Sequence, residues 1–281
     1  MFARSSLPLL AVAAWLILVP GPLRAQKDAL AAPPDPARWR LVWSDEFNGS
    51  AIDDKKWHFE INGKGGGNDE LQYYTKRPAN AAIQDGRLVI TALKEDYNGP
   101  DGHRDYTSAR LVTQGAGDWK YGRFEARLKL PKGKGVWPAF WMMPTENVYG
   151  TWPLSGEIDI MEVIGQEPNV QHGTLHYGDP WPKNVHTGGE IKLPEGDFSD
   201  AFHVFAVEWE PAAFRWYLDG KLFHTETKWW AAGAAFPAPF DEKFFLILNV
   251  AVGGAWPGPP DDKTVFPQRL EVDYVRVYQS Q

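Results

Sequence analysis

The chain has 281 residues, no cysteine and a formal charge of −7. Without cysteine it has no disulfide, no thiol nucleophile and no thiolate metal site, and its acidity argues against a polyanionic partner such as nucleic acid. The 14 tryptophans, beside 10 tyrosines and 15 phenylalanines, exceed what a core needs, because each buried indole N–H must find an acceptor. About half are expected in the core; the others would form flat apolar platforms of the kind that pack on sugar rings.

The N-terminus carries Arg4, an apolar run from Leu7 to Val19 and small or helix-breaking residues up to Ala25. This is the pattern of an export signal, residues 1–25, too short to span a bilayer comfortably. Its removal would leave 27 basic and 36 acidic residues, a charge near −9. The alternative is an uncleaved anchor. An Ala/Pro-rich stretch reads as part of a linker, 26–38, followed by one domain, 39–281, with no repeat or second linker. The expected protein is secreted or periplasmic, away from the membrane after cleavage, and monomeric.

From Trp39 onward the pattern alternates in twos. The Gly-rich loop Gly63 to Gly67 lacks the strand–GxxxxGK[ST]–helix context of a phosphate cradle and reads as a mobile edge. Phe124 to Leu130 alternates apolar and charged residues, as on a half-buried strand. Phe205, Val207 and Trp209 share one face of another strand. Arg215 to Leu218 and Lys221 to His224 form a hairpin around Asp219-Gly220. Only Lys228 to Ala235 hints at helix. Phe244 to Val252 is apolar apart from Asn249, which suits a strand buried on both faces, and Leu270 to Tyr278 is the last strand. Short strands punctuated by Gly and Pro, without amphipathic helices, argue for an all-β sandwich.

The chemistry concentrates in Gly156-Glu157-Ile158-Asp159-Ile160-Met161-Glu162. Alternation points Glu157 and Asp159 one way and Ile158 and Ile160 into the core. It would also bury Glu162 among apolar residues, at high cost. One extra residue near Ile160–Met161, a β-bulge, returns Glu162 to the acidic face. Three like charges on one face raise one another's pKa and oppose stability. A retaining glycosidase needs such a pair, with carboxyls about 5–5.5 Å apart, one as nucleophile and one as proton donor. Asp159 between them would help separate their pKa values. A solvated acidic face or a calcium site could use the same residues, but the flanking aromatics favour catalysis.

The segment resembles the active-site strand of glycoside hydrolase family 16, in the bulged form of its laminarinase-like endo-1,3-β-glucanases. The resemblance runs in order through Trp43 to Phe47, Asn68 to Tyr74, Tyr106 to Arg110, Tyr121 to Glu125, Gly135 to Met142, His172 to Tyr177, Asn249 to Gly258 and Val272 to Tyr278. It implies a jelly-roll sandwich of two antiparallel sheets with a concave substrate cleft. It also implies Glu157 as nucleophile, Glu162 as general acid/base and Asp159 as supporting carboxylate, with no cofactor for catalysis. Asn68, Arg110, Trp137, Trp141, Trp152, His176 and Trp256 are the implied sugar-binding residues. The bland alternatives are a salt bridge for Arg110, a structural role for His176 and core positions for the tryptophans. His176 is expected to reach Glu162. Ala255 stands where many relatives carry Asn.

Glu46, the backbone of Gly86 and Asp273 match a structural calcium site of the family, and hard oxygen donors suit that ion. The implied substrate is a β-glucan, laminarin-like or mixed β-1,3/1,4. Galactan hydrolysis or glycosyl transfer on the same scaffold, or glucan binding without catalysis, are the alternatives.

Overall fold

The computed structural model describes Met1 and residues 34–281; the expected signal and the expected linker as far as residue 33 otherwise lie outside the described residues. In chain order the strands are β1 (Trp39–Asp45), β2 (His58–Glu60), β3 (Gln72–Tyr74), β4 (Ala81–Gln84), β5 (Arg87–Gly99) and β6 (Gly102–Ser108). They continue with β7 (Arg110–Val112), β8 (Gly122–Lys129), β9 (Val136–Pro144), β10 (Glu157–Glu162), β11 (Val170–Gly178) and β12 (Asn184–Lys192). The last five are β13 (His203–Glu210), β14 (Ala213–Leu218), β15 (Lys221–Glu226), β16 (Phe244–Val252) and β17 (Gln268–Ser280).

Two sheets pack as a jelly-roll sandwich. One is ordered β15-β14-β13-β8-β17-β5-β6-β3, with β1 added to β17 and β4 to β5. The other runs β12-β11-β10-β9-β16-β7-β2 and carries the cleft. The pairings are antiparallel except for the short β3–β6 contact, which is parallel. Phe124, Phe205, Trp209 and Trp216 of the first sheet meet Phe140, Ile158, Leu175 and Leu248 of the second in one continuous core. Strand β16 is buried along its whole length, as its apolar run requires. Asp219 and Gly220 both adopt positive φ (49° and 78°), the conformation that a two-residue hairpin turn needs to follow strand twist.

Strand β8 departs from the half-buried expectation: every residue but Lys129 is buried. Its charges can be buried because they are paired. Arg123 lies 3.0 Å from Glu125 and 3.3 Å from Glu208, and Arg127 is 2.9 Å from Asp273. The stretch from Lys228 to Ala235 is not a helix. Trp229 drops into the core against Phe214 and Phe240, and isolated bridges tie Ala231 to Gly178 and Ala234. Tertiary anchoring overrides a weak local propensity here.

Candidate active site

Strand β10 delivers the three acids. Against β11 its register slips between Asp159 and Glu162, and against β9 between Asp159 and Met161. The extra residue is the expected bulge. Ile160 and Met161 both turn into the core, and Glu162 comes back to line the cleft with Glu157 and Asp159.

Glu157 and Glu162 each receive one indole N–H. Trp152 donates to Oε2 of Glu157, and Trp137 donates to Oε1 of Glu162 at 3.0 Å. Asp159 is almost fully buried. Nε2 of His176 lies 3.3 Å from its Oδ2, so His176 serves Asp159 and not Glu162 as expected. The register explains this: His176 sits opposite Glu157, whereas His172 sits opposite Glu162.

Burial raises the pKa of both glutamates, and the Asp159 carboxylate raises them further. Glu162 also feels Glu157 and is shifted well above the usual carboxyl range. Burial opposes charge on His176, but the hydrogen bond to Asp159 and the surrounding carboxylates outweigh it and raise its pKa to about 10. The imidazolium in turn draws both glutamates down. One ligand atom each from Glu157, Asp159 and His176 fall within 4.8 Å of one another. In this structure the imidazole of the cluster is turned to Asp159.

Toward β7 the cleft wall is a hydrogen-bonded chain. Trp141 donates to Asn249 at 2.7 Å, Asn249 to the Tyr74 hydroxyl at 3.1 Å, and that hydroxyl to Glu70 at 3.1 Å. Gln72 donates to the same Glu70 oxygen at 2.7 Å. Arg110 covers one face of Trp141, its guanidinium carbon 4.6 Å from the ring centroid, and pairs with Glu60 at 3.1 Å. Its charge is thus shared between the cleft and a salt bridge. Asn68 also lines the cleft, and its carbonyl accepts from Ala255 N at 2.8 Å. The Gly-rich loop wraps Glu70 closely: at Gly66 (φ 58°) a Cβ would stand 2.3 Å from the Glu70 carboxylate.

Trp256 is exposed and meets Trp137 and His172 edge-on, with ring centroids 5.4 and 5.1 Å apart. Trp152 is exposed at the opposite rim, 6.0 Å from Trp181 at the tip of the β11–β12 hairpin. Trp181 was not among the sequence candidates. Neither were Glu70 and Asn249, although a lone Asn in an apolar strand was a usable signal.

The three proposed calcium ligands lie apart from the cleft. Both Glu46 oxygens are held at 2.9 Å by the Arg276 fork, and Asp273 accepts from Arg127. Gly86 occupies a turn at φ 72°. The donors are hard oxygens, but both carboxylates are already paired with arginines, so calcium would bind there only in competition with those pairs.

Residues 68–276 match the Glycosyl hydrolases family 16. A β-glucanase of Rhodothermus marinus is 47% identical over 259 residues, covering 85% of each chain. Glucan endo-1,3-β-glucosidase A1 of Niallia circulans is 43% identical over 273 residues, 90% of this chain but only 40% of its own length. The crystal structure of the laminarinase catalytic domain from Thermotoga maritima superposes with a TM-score of 0.79 at 46% identity, covering 86% of this chain and 99% of that one. With its sandwich, its acidic strand and these relatives in agreement, the chain belongs to glycosyl hydrolase family 16.

Proposed function

We propose that the protein is a secreted, retaining endo-1,3-β-glucanase that cleaves internal bonds of laminarin-like glucans, and β-1,3 bonds within mixed β-1,3/1,4 glucans. The observation that carries this reading is the bulge in β10, which puts Glu157 and Glu162 on one cleft face. The names of its relatives support the substrate class.

In the first step a Glu157 oxygen attacks the anomeric carbon and forms a glycosyl ester. Glu162 gives its proton to the departing glycosidic oxygen. In the second, Glu162 takes a proton from water, which attacks the same carbon and releases Glu157. The Trp152 N–H stabilises the Glu157 carboxylate between turnovers. Asp159 and His176 set the field in which the two glutamates titrate apart. Trp137, Trp256, Trp152 and Trp181 offer ring faces and edges to the glucan, and Arg110, Asn68 and Asn249 offer hydrogen bonds. Export, a monomeric state and a structural calcium at Glu46, Gly86 and Asp273 belong to the same proposal.

The test is product analysis on laminarin, lichenan, agarose and carrageenan, with proton NMR of the nascent reducing end. Oligosaccharides of β-configuration from laminarin are expected. Release of galactan fragments, or α-configured first products, would overturn the substrate or the mechanism.

A further inference from the structure

The bulge that aims Glu162 needs something to hold it. A bulge takes main-chain groups out of the ladder, and a buried carbonyl without a donor is costly. Two distant side chains meet the carbonyls at this point. Trp216 on β14, in the opposite sheet, donates its indole N–H through the core to the Asp159 carbonyl at 2.9 Å. Gln171 on β11 donates its amide to the Ile160 carbonyl at 3.1 Å. Both side chains are fully buried, and they take successive carbonyls where the register slips.

We propose that Gln171 and Trp216 are positioning residues that clamp the β10 bulge and thereby fix the aim of Glu162. This rests on the reading of Glu162 as the proton donor. Two further observations carry it. Gly173 lies where a Cβ would stand 2.3 Å from Trp216 Cδ1 and 2.6 Å from its Nε1, so a glycine is what lets the indole reach the bulge. The Oε1 of Gln171 has no partner among the described residues. An apolar side chain would fill this site without that penalty, so the useful part of Gln171 is its N–H toward Ile160. If the clamp is lost, the strand can relax toward regular pairing. A slip of one residue moves Glu162 from the cleft to the apolar face.

The test separates aim from general damage. Gln171→Met keeps the volume and removes the donor. It is assayed on a soluble β-1,3-glucan and on a 2,4-dinitrophenyl glycoside of a β-1,3-gluco-oligosaccharide with azide present. Dinitrophenolate leaves without a proton, and azide displaces Glu157 without one being removed, so the second assay bypasses Glu162 in both steps. The expected result is a kcat on glucan lowered about 100-fold at similar KM, with turnover of the activated substrate within about threefold of wild type. Equal losses on both substrates, or no loss on glucan, would overturn the clamp. Should Gln171→Met fail to fold, Trp216→Phe keeps a ring in the core, removes the donor and is read in the same way. Glu162→Ala is the control: if it too loses both substrates equally, the fault lies in the role given to Glu162 and not in the clamp.

Discussion

The molecule treats its acids in two opposite ways. On the ten-stranded sheet, buried carboxylates sit beside arginines: Glu125 and Glu208 share Arg123, Asp273 has Arg127, and at the surface Glu46 has Arg276. In the cleft, Glu157, Asp159 and Glu162 are as crowded, yet their close partners are two indole N–H groups and one histidine. Where only stability is at stake, charge is cancelled. Where a proton must be given and taken back, it is left uncancelled, and the glutamate pKa values rise.

The sharpest way to break this contrast is to remove the cleft acids. Glu157→Ala and Glu162→Ala should each lower kcat on β-1,3-glucan by at least about 10⁴-fold. Azide should then yield an α-glycosyl azide from Glu157→Ala and a β-glycosyl azide from Glu162→Ala; the reverse would exchange their roles. Stability should move the other way. A carboxyl whose folded pKa is raised binds more protons in the folded state, so it weakens the fold as pH rises above the ordinary carboxyl range. Glu162→Gln should therefore melt higher than wild type above that range, by about 1–2 kcal/mol.

Breaking the paired face should do the reverse. Arg123→Ala leaves two buried glutamates without their shared cation and should cost about 3–5 kcal/mol in urea unfolding, with activity per folded molecule unchanged. A smaller effect is expected from His176→Gln. Loss of the imidazolium should raise both glutamate pKa values, shifting the pH–kcat/KM profile to the alkaline side and lowering its maximum about tenfold. His176 also contributes stability below its unfolded pKa that is lost as pH rises through about 10, so the variant and wild type should converge there. The smallest expected change is from chelation: EDTA should lower Tm by a few degrees, corresponding to about 1 kcal/mol. An unchanged Tm in EDTA, with no recovery on adding calcium, would remove the ion from the proposal.

The acidic strand was legible because its pattern contradicted itself: two-residue alternation cannot bring Glu162 to the side of Glu157 without an added residue. The Asp219-Gly220 turn and the buried β16 were legible for similarly local reasons. What was not legible depended on contacts far along the chain. The charges of β8 look solvent-facing until Glu208 and Asp273, from other strands, are laid beside them. Trp229 carries no local sign that it will be drawn into the core. The target of His176 was set by register, which pairs it with Glu157 and leaves His172 opposite Glu162. The tryptophan excess was a fair guide: Trp39, Trp57, Trp209, Trp216 and Trp229 are buried, whereas Trp152, Trp181, Trp230 and Trp256 are exposed.

The seam between the Asn68 and Trp256 loops has a consequence for how a polymer is captured. Main-chain bonds run from Ala255 to Asn68 and from Leu71 to Val252, at 2.8 and 2.7 Å, and a third joins Gly253 to Gly135. That rim is knitted mainly by peptide groups, with Gln72 accepting from Val252 N and Gln166 bridging Gly135 and Pro257. A glucan strand arriving there meets a finished wall and gives up little free energy to loop ordering. Side-chain identity along the seam can therefore change, as with Ala255, and alter preference without disturbing the wall's shape.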